Sequence, residues 1–247
     1  MCNNTADFYD HYVTTHYRST VGEQSYIKRY YIWKSYLEKL LASDKGIAIL
    51  EVGCGMGHNI YALRKLGYKN IVGIDYSAEC IDFCKEKGID ALLINEKSER
   101  KFYKAHARSF DLIILYDVLE HYGPSDGMAL LRFIKGSLKD DGMILISTPN
   151  AGHPLSSSLL FADITHKCIY TRGSLSQLLL NVGFTRNMFF QMNSYTLYDE
   201  SIVIQLFKQT ILRGISFIGE YFWKAVGLTQ GIIFTQCKPT LISIAQK

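Results

Sequence analysis

A glycine-rich stretch from Ile49 to Ile60 constrains the fold of this chain more than any other feature. The apolar run that ends at Glu51 predicts a strand, and glycines at every second position after it predict a tight turn that opens a helix. The glycines are Gly53, Gly55 and Gly57. Glycine adopts positive φ without steric cost, and the helix that follows directs free N–H groups into the turn. The stretch therefore predicts a small-molecule pocket.

The middle of the chain alternates short apolar runs with helical patterns. Strands are predicted near 47–52, 70–74, 91–94, 110–116, 142–148, 184–194 and 233–246, and helices near 57–67, 77–88, 126–139 and 171–182. Runs such as 110–116 are continuously apolar, which is typical of a parallel sheet covered by helices on both faces. We therefore predict an α/β fold with a doubly wound sheet, whose ligand crevice lies beyond the carboxyl ends of the strands.

Two amphipathic segments flank this alternating region. Residues 23–41 carry apolar side chains at steps of three and four, which predicts a helix, and an irregular aromatic arm over 7–20 precedes it. Residues 201–228 carry a polar stripe opposite a broad apolar side. This pattern predicts a helical insertion that is buried on the core or contacts a membrane surface or a second subunit.

Composition narrows the classes of function. The 247 residues carry 27 Lys and Arg against 23 Asp and Glu, a net charge of +4, and the basic residues are scattered, which disfavours nucleic-acid binding. The six cysteines form no CxxC pair, so we expect free thiols in a reducing compartment. The sequence shows no signal peptide and no apolar run of about 18 residues, so we expect a cytoplasmic protein.

The glycine turn is compatible with two kinds of nucleotide ligand. A dinucleotide fingerprint needs its third glycine where His58 stands, and it gives Glu51 no role. A ligand with a positively charged amino group would give Glu51 one. Asp75 ends the next predicted strand, where an acid can accept hydrogen bonds from both ribose hydroxyls. The combination favours an adenosyl ligand with a charged amino end over NAD.

Four segments, 51–57, 73–77, 110–121 and 138–150, follow one another in an order and spacing that identify a family. They resemble the motifs of the class I S-adenosylmethionine-dependent methyltransferases, and the resemblance covers nearly the whole chain. It implies S-adenosylmethionine as the cofactor and a seven-stranded, mostly parallel sheet in the order 3-2-1-4-5-7-6, whose last strand is antiparallel. An N-terminal helical arm and a helical insertion before the last strand would complete the fold.

The resemblance also divides the single domain, 1–247, into an N-terminal lid and helix (1–44), a cofactor-binding core (45–150) and an acceptor-side segment (151–247). It implies that the cofactor contacts Glu51, Gly53, Cys54, Gly55, Asn59, Asp75, Tyr76, Asn95, Glu96, Tyr116 and, from the arm, Tyr12. Family members usually place an acid after the third strand, in a Gly-Asp pair. Here Ile94-Asn95-Glu96 stands there, so which of Asn95 and Glu96 lies near the adenine stays open.

Residues after the fourth strand face the transferred methyl group in such a fold. The Glu120-His121 pair and the 163–166 segment resemble a subgroup that includes ubiquinone-pathway O-methyltransferases and methyltransferases of cell-envelope sugars. A hydroxyl acceptor benefits from a base of near-neutral pKa, so His121 is the first candidate base, unless it packs behind the loop. The other catalytic candidates are His166, His153 and Asp117.

A divalent cation is an alternative use of this segment. Asp117, Glu120 and His121 stand at i, i+3 and i+4, which would bring three ligands together if the segment were helical. The ubiquinone branch has Glu at the position that resembles Asp117. We therefore predict no metal.

These features predict an enzyme that methylates a small molecule, with oxygen as the acceptor atom and an activated sugar or cell-envelope glycan precursor as the substrate class. The alternatives are a phenol of a quinone pathway, a non-catalytic protein that binds S-adenosylmethionine, and an NAD oxidoreductase. Enzymes that methylate base amino groups place two prolines and an aromatic after the fourth strand, where this chain has Asp117-Val-Leu-Glu. Contact of 201–228 with a membrane or lipid-linked substrate, and an oligomer, are further expectations.

Overall fold

A computed structural model describes residues 12–15, 22–37, 41, 43–153, 156–190 and 240–247. Most of the aromatic arm, including Tyr9 and Tyr17, lies outside the described residues, as do the amphipathic segment 201–228 and the predicted strand residues 191–194 and 233–239. Predictions made for those segments therefore stay predictions.

Strands and helices alternate along the described chain. The helices are α1 (Tyr12–Thr15), α2 (Glu23–Ile32), α3 (His58–Lys65), α4 (Ala78–Glu86), α5 (Glu96–Ala105), α6 (Pro124–Ser137), α7 (Ser156–Leu160) and α8 (Arg172–Val182). The strands are β1 (Ala48–Val52), β2 (Asn70–Asp75), β3 (Ala91–Leu93), β4 (Phe110–Tyr116), β5 (Leu138–Pro149), β6 (Thr185–Phe190) and β7 (Thr240–Gln246). A π-helical turn (Trp33–Leu37) extends α2, and a 3₁₀ turn (Leu119–His121) follows β4.

The strands form one seven-stranded sheet in the order β3-β2-β1-β4-β5-β7-β6. The strands from β1 to β5 pair in parallel, whereas β7 is antiparallel to both of its neighbours, β5 and β6. The predicted fold class and strand order are confirmed. The carboxyl ends of the parallel strands meet at one edge, which is where a ligand binds in such a sheet.

Alternate residues of the central strands pack against two different helical layers. Along β4, Ile113 and Leu115 contribute to the cluster that includes α6 and α8, whereas Leu112 and Ile114 contribute to the cluster that includes α2 and α3. All four side chains are almost fully buried. A strand buried on both faces must be apolar throughout, which explains the continuous run in the sequence.

Helix α5 was not predicted. Its sequence is rich in Lys and Glu, and its apolar residues Phe102, Tyr103 and Ala105 stand only in its last turn, so no apolar run marked it. The local signal is a capping box. The Asn95 side chain accepts hydrogen bonds from the backbone N–H groups of Lys97 and Ser98, and the Ser98 hydroxyl accepts one from the Asn95 backbone.

The first amphipathic helix continues from α2 through the π-helical turn to Leu37, and residues 38–40 of the predicted helix lie outside the described residues. The structure corrects two other predicted boundaries. Helix α6 ends at Ser137, two residues before its predicted end, and β5 begins at Leu138, four residues before its predicted start. Among the described residues no helix has both the length and the apolar character needed to cross a membrane.

Candidate functional site

A cavity of about 330 Å³ opens at the carboxyl edge of the sheet, between the segments that follow β1, β2 and β4 and the helices α5 and α6. Its volume lies within the range of small-molecule sites. Of the residues predicted to contact the cofactor or to take part in catalysis, Gly53, Gly55, Asp75, Tyr76, Glu96, Tyr116, Asp117 and His121 line it. The Tyr12 side chain lies outside the described structure.

The glycine turn forms the floor of the cavity. Gly53 and Gly55 have φ angles of 64° and 52°, a conformation that other residues adopt with strain. A Cβ atom at Gly53 would lie 2.6 Å from Cγ2 of Val118, whereas one at Gly55 would meet nothing within 4 Å. The space above Gly55 therefore belongs to the cavity, and a ligand there would meet backbone alone.

Asp75 is held in a fixed orientation at the cavity wall. Its Oδ2 accepts a hydrogen bond from the Gly55 backbone N–H at 2.7 Å, and its Oδ1 accepts one from Ser77 at 2.8 Å. Burial raises the pKa of the carboxyl group, and these hydrogen bonds oppose the rise. Each carboxylate oxygen keeps a second lone pair, so the group can still accept the two hydroxyls of a ribose.

Glu51 lies behind the turn. Its side chain is 1% exposed, and its Oε1 accepts a hydrogen bond from the Asn59 amide at 2.5 Å. Its Oε2 has no hydrogen-bond partner in the part of the chain that the structure describes. Burial raises the pKa of Glu51 to about 8, although Asn59 and Arg29 favour the charged form. A cationic amino group would supply the missing partner.

Four residues predicted to contact the cofactor lie away from the cavity lining: Glu51, Cys54, Asn59 and Asn95. Asn59 accepts a hydrogen bond from Trp33 Nε1 at 2.8 Å and donates to Glu51, so it orients Glu51 from behind. Cys54 is buried beneath the turn. Asn95 is exposed and caps α5, whereas its neighbour Glu96 lines the cavity. Of the two candidates after β3, Glu96 is thus the one at the cavity.

Sequence reasoning missed an acid on α5. Glu99 lines the cavity, where its Oε2 accepts a hydrogen bond from the Tyr76 hydroxyl at 2.7 Å. Its Oε1 accepts one from Tyr103 at 3.3 Å. Burial raises the pKa of Glu99, and the two tyrosines oppose the rise. The capping box at Asn95 was the one sequence signal that could have placed this acid on a helix beside the cavity.

Sequence reasoning also missed Arg29, a charged residue of α2. Its guanidinium carbon lies 4.3 Å from the centroid of the Tyr116 ring, a cation–π contact at the cavity wall. The positive charge also lowers the pKa values of Glu51 and Asp117, against the rise caused by burial. Hydrophobic periodicity could not predict the contact between Arg29 and Tyr116, because a long charged side chain on the surface of a helix can still extend back over the core.

His121 stands on the acceptor side in a short chain of hydrogen bonds. Its Nδ1 lies 2.8 Å from the Thr165 hydroxyl, which donates to Asp163 Oδ1 at 2.6 Å. His121 lines the cavity, and the centroids of the His121 and His166 rings are 5.0 Å apart. His153, the remaining candidate, is not among the residues that line the cavity.

The segment between β4 and the 3₁₀ turn is not helical as the cation alternative required. Asp117 has φ 56°, and the turn begins only at Leu119. The Asp117 side chain is exposed to the open cavity, and its Oδ1 accepts a hydrogen bond from the Ser147 hydroxyl at 2.8 Å. Desolvation by the surrounding protein raises the pKa of Asp117, and Arg29 opposes the rise.

Residues 25–186 match the profile of a family described as a methyltransferase domain, a span of more than half of the chain. The chain belongs to this methyltransferase family. The family assignment confirms the predicted cofactor, S-adenosylmethionine. The residues present fit this group, because Gly55 leaves room for it in the cavity and Asp75 suits its ribose. Glu51 lies behind the turn, outside the cavity lining, and its Oε2 has no hydrogen-bond partner among the described residues, so it could pair with the amino group.

One curated relative has a name that states its substrate. Over 159 residues this chain is 30% identical to phosphoethanolamine N-methyltransferase 1 of Zea mays, a match that covers 62% of this chain and 30% of that protein. This chain thus spans under a third of that curated relative.

Two solved structures share its fold. A SAM-dependent methyltransferase from Archaeoglobus fulgidus is 18% identical, with a TM-score of 0.65 over 96% of this chain and 100% of the other. The magnesium protoporphyrin IX methyltransferase of Synechocystis PCC 6803, solved with bound SAH, is 14% identical, with a TM-score of 0.59 over 98% of this chain and 97% of the other.

Proposed function

We propose that this methyltransferase transfers a methyl group to a hydroxyl oxygen of a small molecule, with His121 as the base. The observation that carries the proposal is the chain of hydrogen bonds from His121 through Thr165 to Asp163, from which we infer the tautomer of His121. The Thr165 hydroxyl has one proton, which it donates to the Asp163 carboxylate at 2.6 Å. It must therefore accept its second hydrogen bond, at 2.8 Å, from His121 Nδ1–H. This leaves the lone pair on Nε2, the form that can accept a proton.

The residues on the cofactor side have a separate task, which is binding and orientation. When bound, S-adenosylmethionine supplies a methyl group on a sulfonium whose departure needs no acid catalyst. Asp75 would hold the ribose, Glu51 would pair with the amino group, and the backbone at Gly55 would carry the ligand between them. In-line placement of the acceptor then contributes more to the rate than acid–base chemistry does.

Two basic side chains at the cavity support an acceptor that carries phosphate, such as an activated sugar or a glycan precursor, although five acidic side chains line the cavity as well. Lys167 and Arg100 both line the cavity and have exposed side chains. Cations at the rim would pair with a phosphate group of the acceptor, while Asp117 and His121 face its hydroxyls. The Zea mays relative is named for phosphoethanolamine, a molecule that also carries a phosphate group.

The test is methyl transfer from S-adenosylmethionine to panels of phosphorylated sugars, phenols and phosphorylated amines. The His121→Ala variant should lose roughly 100- to 10,000-fold in kcat while its affinity for S-adenosylhomocysteine changes less than about twofold, because a lost base slows chemistry alone. His106→Gln is the matched control, because His106 is not among the residues that line the cavity. Full activity of His121→Ala, or turnover of amines alone, would contradict the proposal.

Thr165 tests the tautomer itself as a positioning residue. Thr165→Val removes the hydroxyl between His121 and Asp163, so Nδ1 loses its partner and the pH dependence of kcat should change together with its magnitude. Thr165→Ser keeps the hydroxyl and should restore both. A purely structural role would lower stability without moving the pH profile.

A further inference from the structure

Glu120 presents a buried carboxyl group whose side chain the protein does not satisfy. The residue is 1% exposed, and neither Oε1 nor Oε2 has a hydrogen-bond partner among the described residues. The Thr148 hydroxyl lies near it without forming a hydrogen bond of ordinary geometry. Buried carboxyl groups are normally paired or bound to a metal, because an isolated one is costly. The Glu120 carboxyl group lies beside two histidines.

The two histidines are His121 and His166. One ring nitrogen of each histidine and one carboxylate oxygen of Glu120 lie within 4.8 Å of one another. Donors around a tetrahedral ion with metal–nitrogen bonds of ordinary length stand roughly 3.4 Å apart. A small inward movement of the side chains would therefore complete a binding site.

Both imidazoles are held in the tautomer that binds metals. His121 donates its Nδ1–H to Thr165, as derived above. The Leu160 carbonyl can only accept, so His166 donates its Nδ1–H to this carbonyl at 3.2 Å. In each ring Nε2 therefore carries the lone pair. Hydrogen bonds from the far nitrogen of a ligand histidine are the usual way in which proteins orient it toward a metal.

The two segments that contribute these residues are fixed to each other by backbone hydrogen bonds. The N–H groups of Lys167 and Cys168 both donate to the Glu120 carbonyl oxygen, at 2.8 and 3.1 Å. The residue after His166 is thereby tied to the turn that carries Glu120 and His121. The cluster is a product of the fold and not of chance side-chain placement.

We propose that Glu120, His121 and His166 bind a divalent transition-metal ion. Two imidazoles and one carboxylate suit Zn²⁺, Mn²⁺ or Fe²⁺, whereas Mg²⁺ and Ca²⁺ prefer sites built from oxygen alone. The ligand set differs from the one considered from the sequence, because His166 takes the place of Asp117. Three protein ligands leave a coordination position open for a further group.

The place of the proposed ion beside the cavity indicates which group would occupy its open coordination position. The role described next rests on the proposed function. His121 lines the cavity, so an acceptor hydroxyl there would have access to the ion. Binding to the ion would lower the pKa of that hydroxyl, and its proton would leave to water. The role keeps the O-methylation of the proposed function and replaces its base: with the ion bound, His121 is a metal ligand. The deprotonated oxygen forms its bond to the methyl carbon as the carbon–sulfur bond breaks.

The experiment is a titration of the chelator-treated full chain with MnCl₂, followed by electron paramagnetic resonance of the free ion. One ion per chain should bind at micromolar concentrations. Glu120→Gln and His166→Gln should each weaken binding at least tenfold, and His106→Gln should leave it unchanged. Circular dichroism checks that the variants are folded. Failure of the parent chain to bind at 1 mM, or equal binding by all variants, would overturn the proposal.

Methyl-transfer assays separate this inference from the function on which its role rests. Stoichiometric binding of Mn²⁺ without turnover of any hydroxyl acceptor would reject the O-methylation proposal and leave the metal site standing. Turnover that a chelator does not reduce, in a chain that binds no Mn²⁺, would reject the metal site and leave His121 as the base.

Discussion

Three acidic side chains, Glu51, Asp75 and Glu120, lie at the carboxyl edge of the sheet in surroundings that disfavour their charge. Burial raises the pKa of each of them. Such groups cost stability in the folded protein unless a ligand supplies the missing positive charge or hydrogen bonds. At each of these three side chains, a substitution should therefore change both the affinity for a ligand and the stability of the ligand-free protein.

The affinity for the cofactor should depend on Asp75. Asp75→Asn keeps the size of the side chain and removes the charge that would accept the ribose hydroxyls. We expect the free energy of S-adenosylhomocysteine binding to fall by about 2 kcal/mol, the scale of lost charge-assisted hydrogen bonds. Titration calorimetry measures this. Asp82→Asn is the control, since Asp82 is exposed and pairs with Lys85 on the surface; an equal loss in both variants would reject the assignment.

Glu51 should make the ligand-free protein less stable as the pH rises. Its pKa is raised from 4.5 to about 8 in the folded state, so between these values the unfolded chain has released a proton that the folded chain keeps. The free energy of unfolding should therefore fall through this window, by about 3 kcal/mol.

Denaturant unfolding at pH 5, 6.5 and 8 checks this pH dependence. In Glu51→Gln the contribution of Glu51 to the fall should disappear, because the amide does not titrate, whereas the other buried carboxyl groups with raised pKa values, such as Asp75 and Glu120, should still contribute. Glu86→Gln is the matched control, since Glu86 is an exposed residue of α4. A wild-type protein whose stability stays constant from pH 5 to pH 8 would contradict the prediction.

Among the secondary-structure elements, those with many apolar residues were predictable, and α5, most of whose ten residues are charged or polar, was not. The strands β1, β2 and β4 are apolar because both faces are buried, so composition alone locates them. Helix α5 depends on its cap and on contacts made by Tyr103, which are visible only in three dimensions. The missed acid Glu99 follows from the missed helix.

The site was predictable where a single backbone turn builds it and less so where distant segments meet. Gly53, Gly55 and Asp75 come from adjacent strand ends, which the order of motifs brings together. Arg29 reaches the cavity from α2, and His166 reaches His121 from the loop after α7. Neither of these contacts produces a periodic pattern in the sequence, because each depends on how separate segments of the chain pack.

The cap of α5 should affect both stability and cofactor binding. Asn95→Ala removes the hydrogen bonds to Lys97 and Ser98, which should cost about 1 kcal/mol of stability. Because Glu96 and Glu99 line the cavity from the first turn of α5, the affinity for S-adenosylhomocysteine should also fall.

Helix α8 provides the matched comparison for this substitution. Thr171→Ala removes an equivalent capping box, so it should lower stability by a similar amount. No residue of α8 is among those that line the cavity, so the affinity for S-adenosylhomocysteine should stay unchanged. Calorimetric titration and thermal unfolding measure both quantities, and equal affinities in the two variants would contradict the proposed place of α5 in the site.

At the scale of the whole molecule, β7 holds the sheet together although none of its residues lines the cavity. It pairs with β5 over seven residues and is the partner that joins β6 to the sheet. Ile244 is 3% exposed and sits opposite Met188 of β6, which is 55% exposed. The two residues therefore share a position in the ladder and differ in burial.

This pair provides a stability prediction. Ile244→Ala should reduce the free energy of unfolding by about 2–4 kcal/mol, through lost burial and the cavity that remains. Met188→Ala should reduce it by less than about 0.5 kcal/mol, as expected for an exposed side chain. Denaturant unfolding with fluorescence detection distinguishes the two. A similar loss in both variants would show that β7 does not carry the core packing described here.

The position of β7 at 240–246 also determines the order in which the sheet can be completed during synthesis. The parallel strands from β1 to β5 leave the ribosome long before β7 does, and β6 ends 56 residues before β7 ends. At usual rates of translation this delay is roughly 3 to 11 s. Throughout it, the outer edge of β5 presents unpaired backbone groups, which are a template for aggregation. A slow-growing or chaperone-poor expression host should therefore yield this protein mainly in insoluble form.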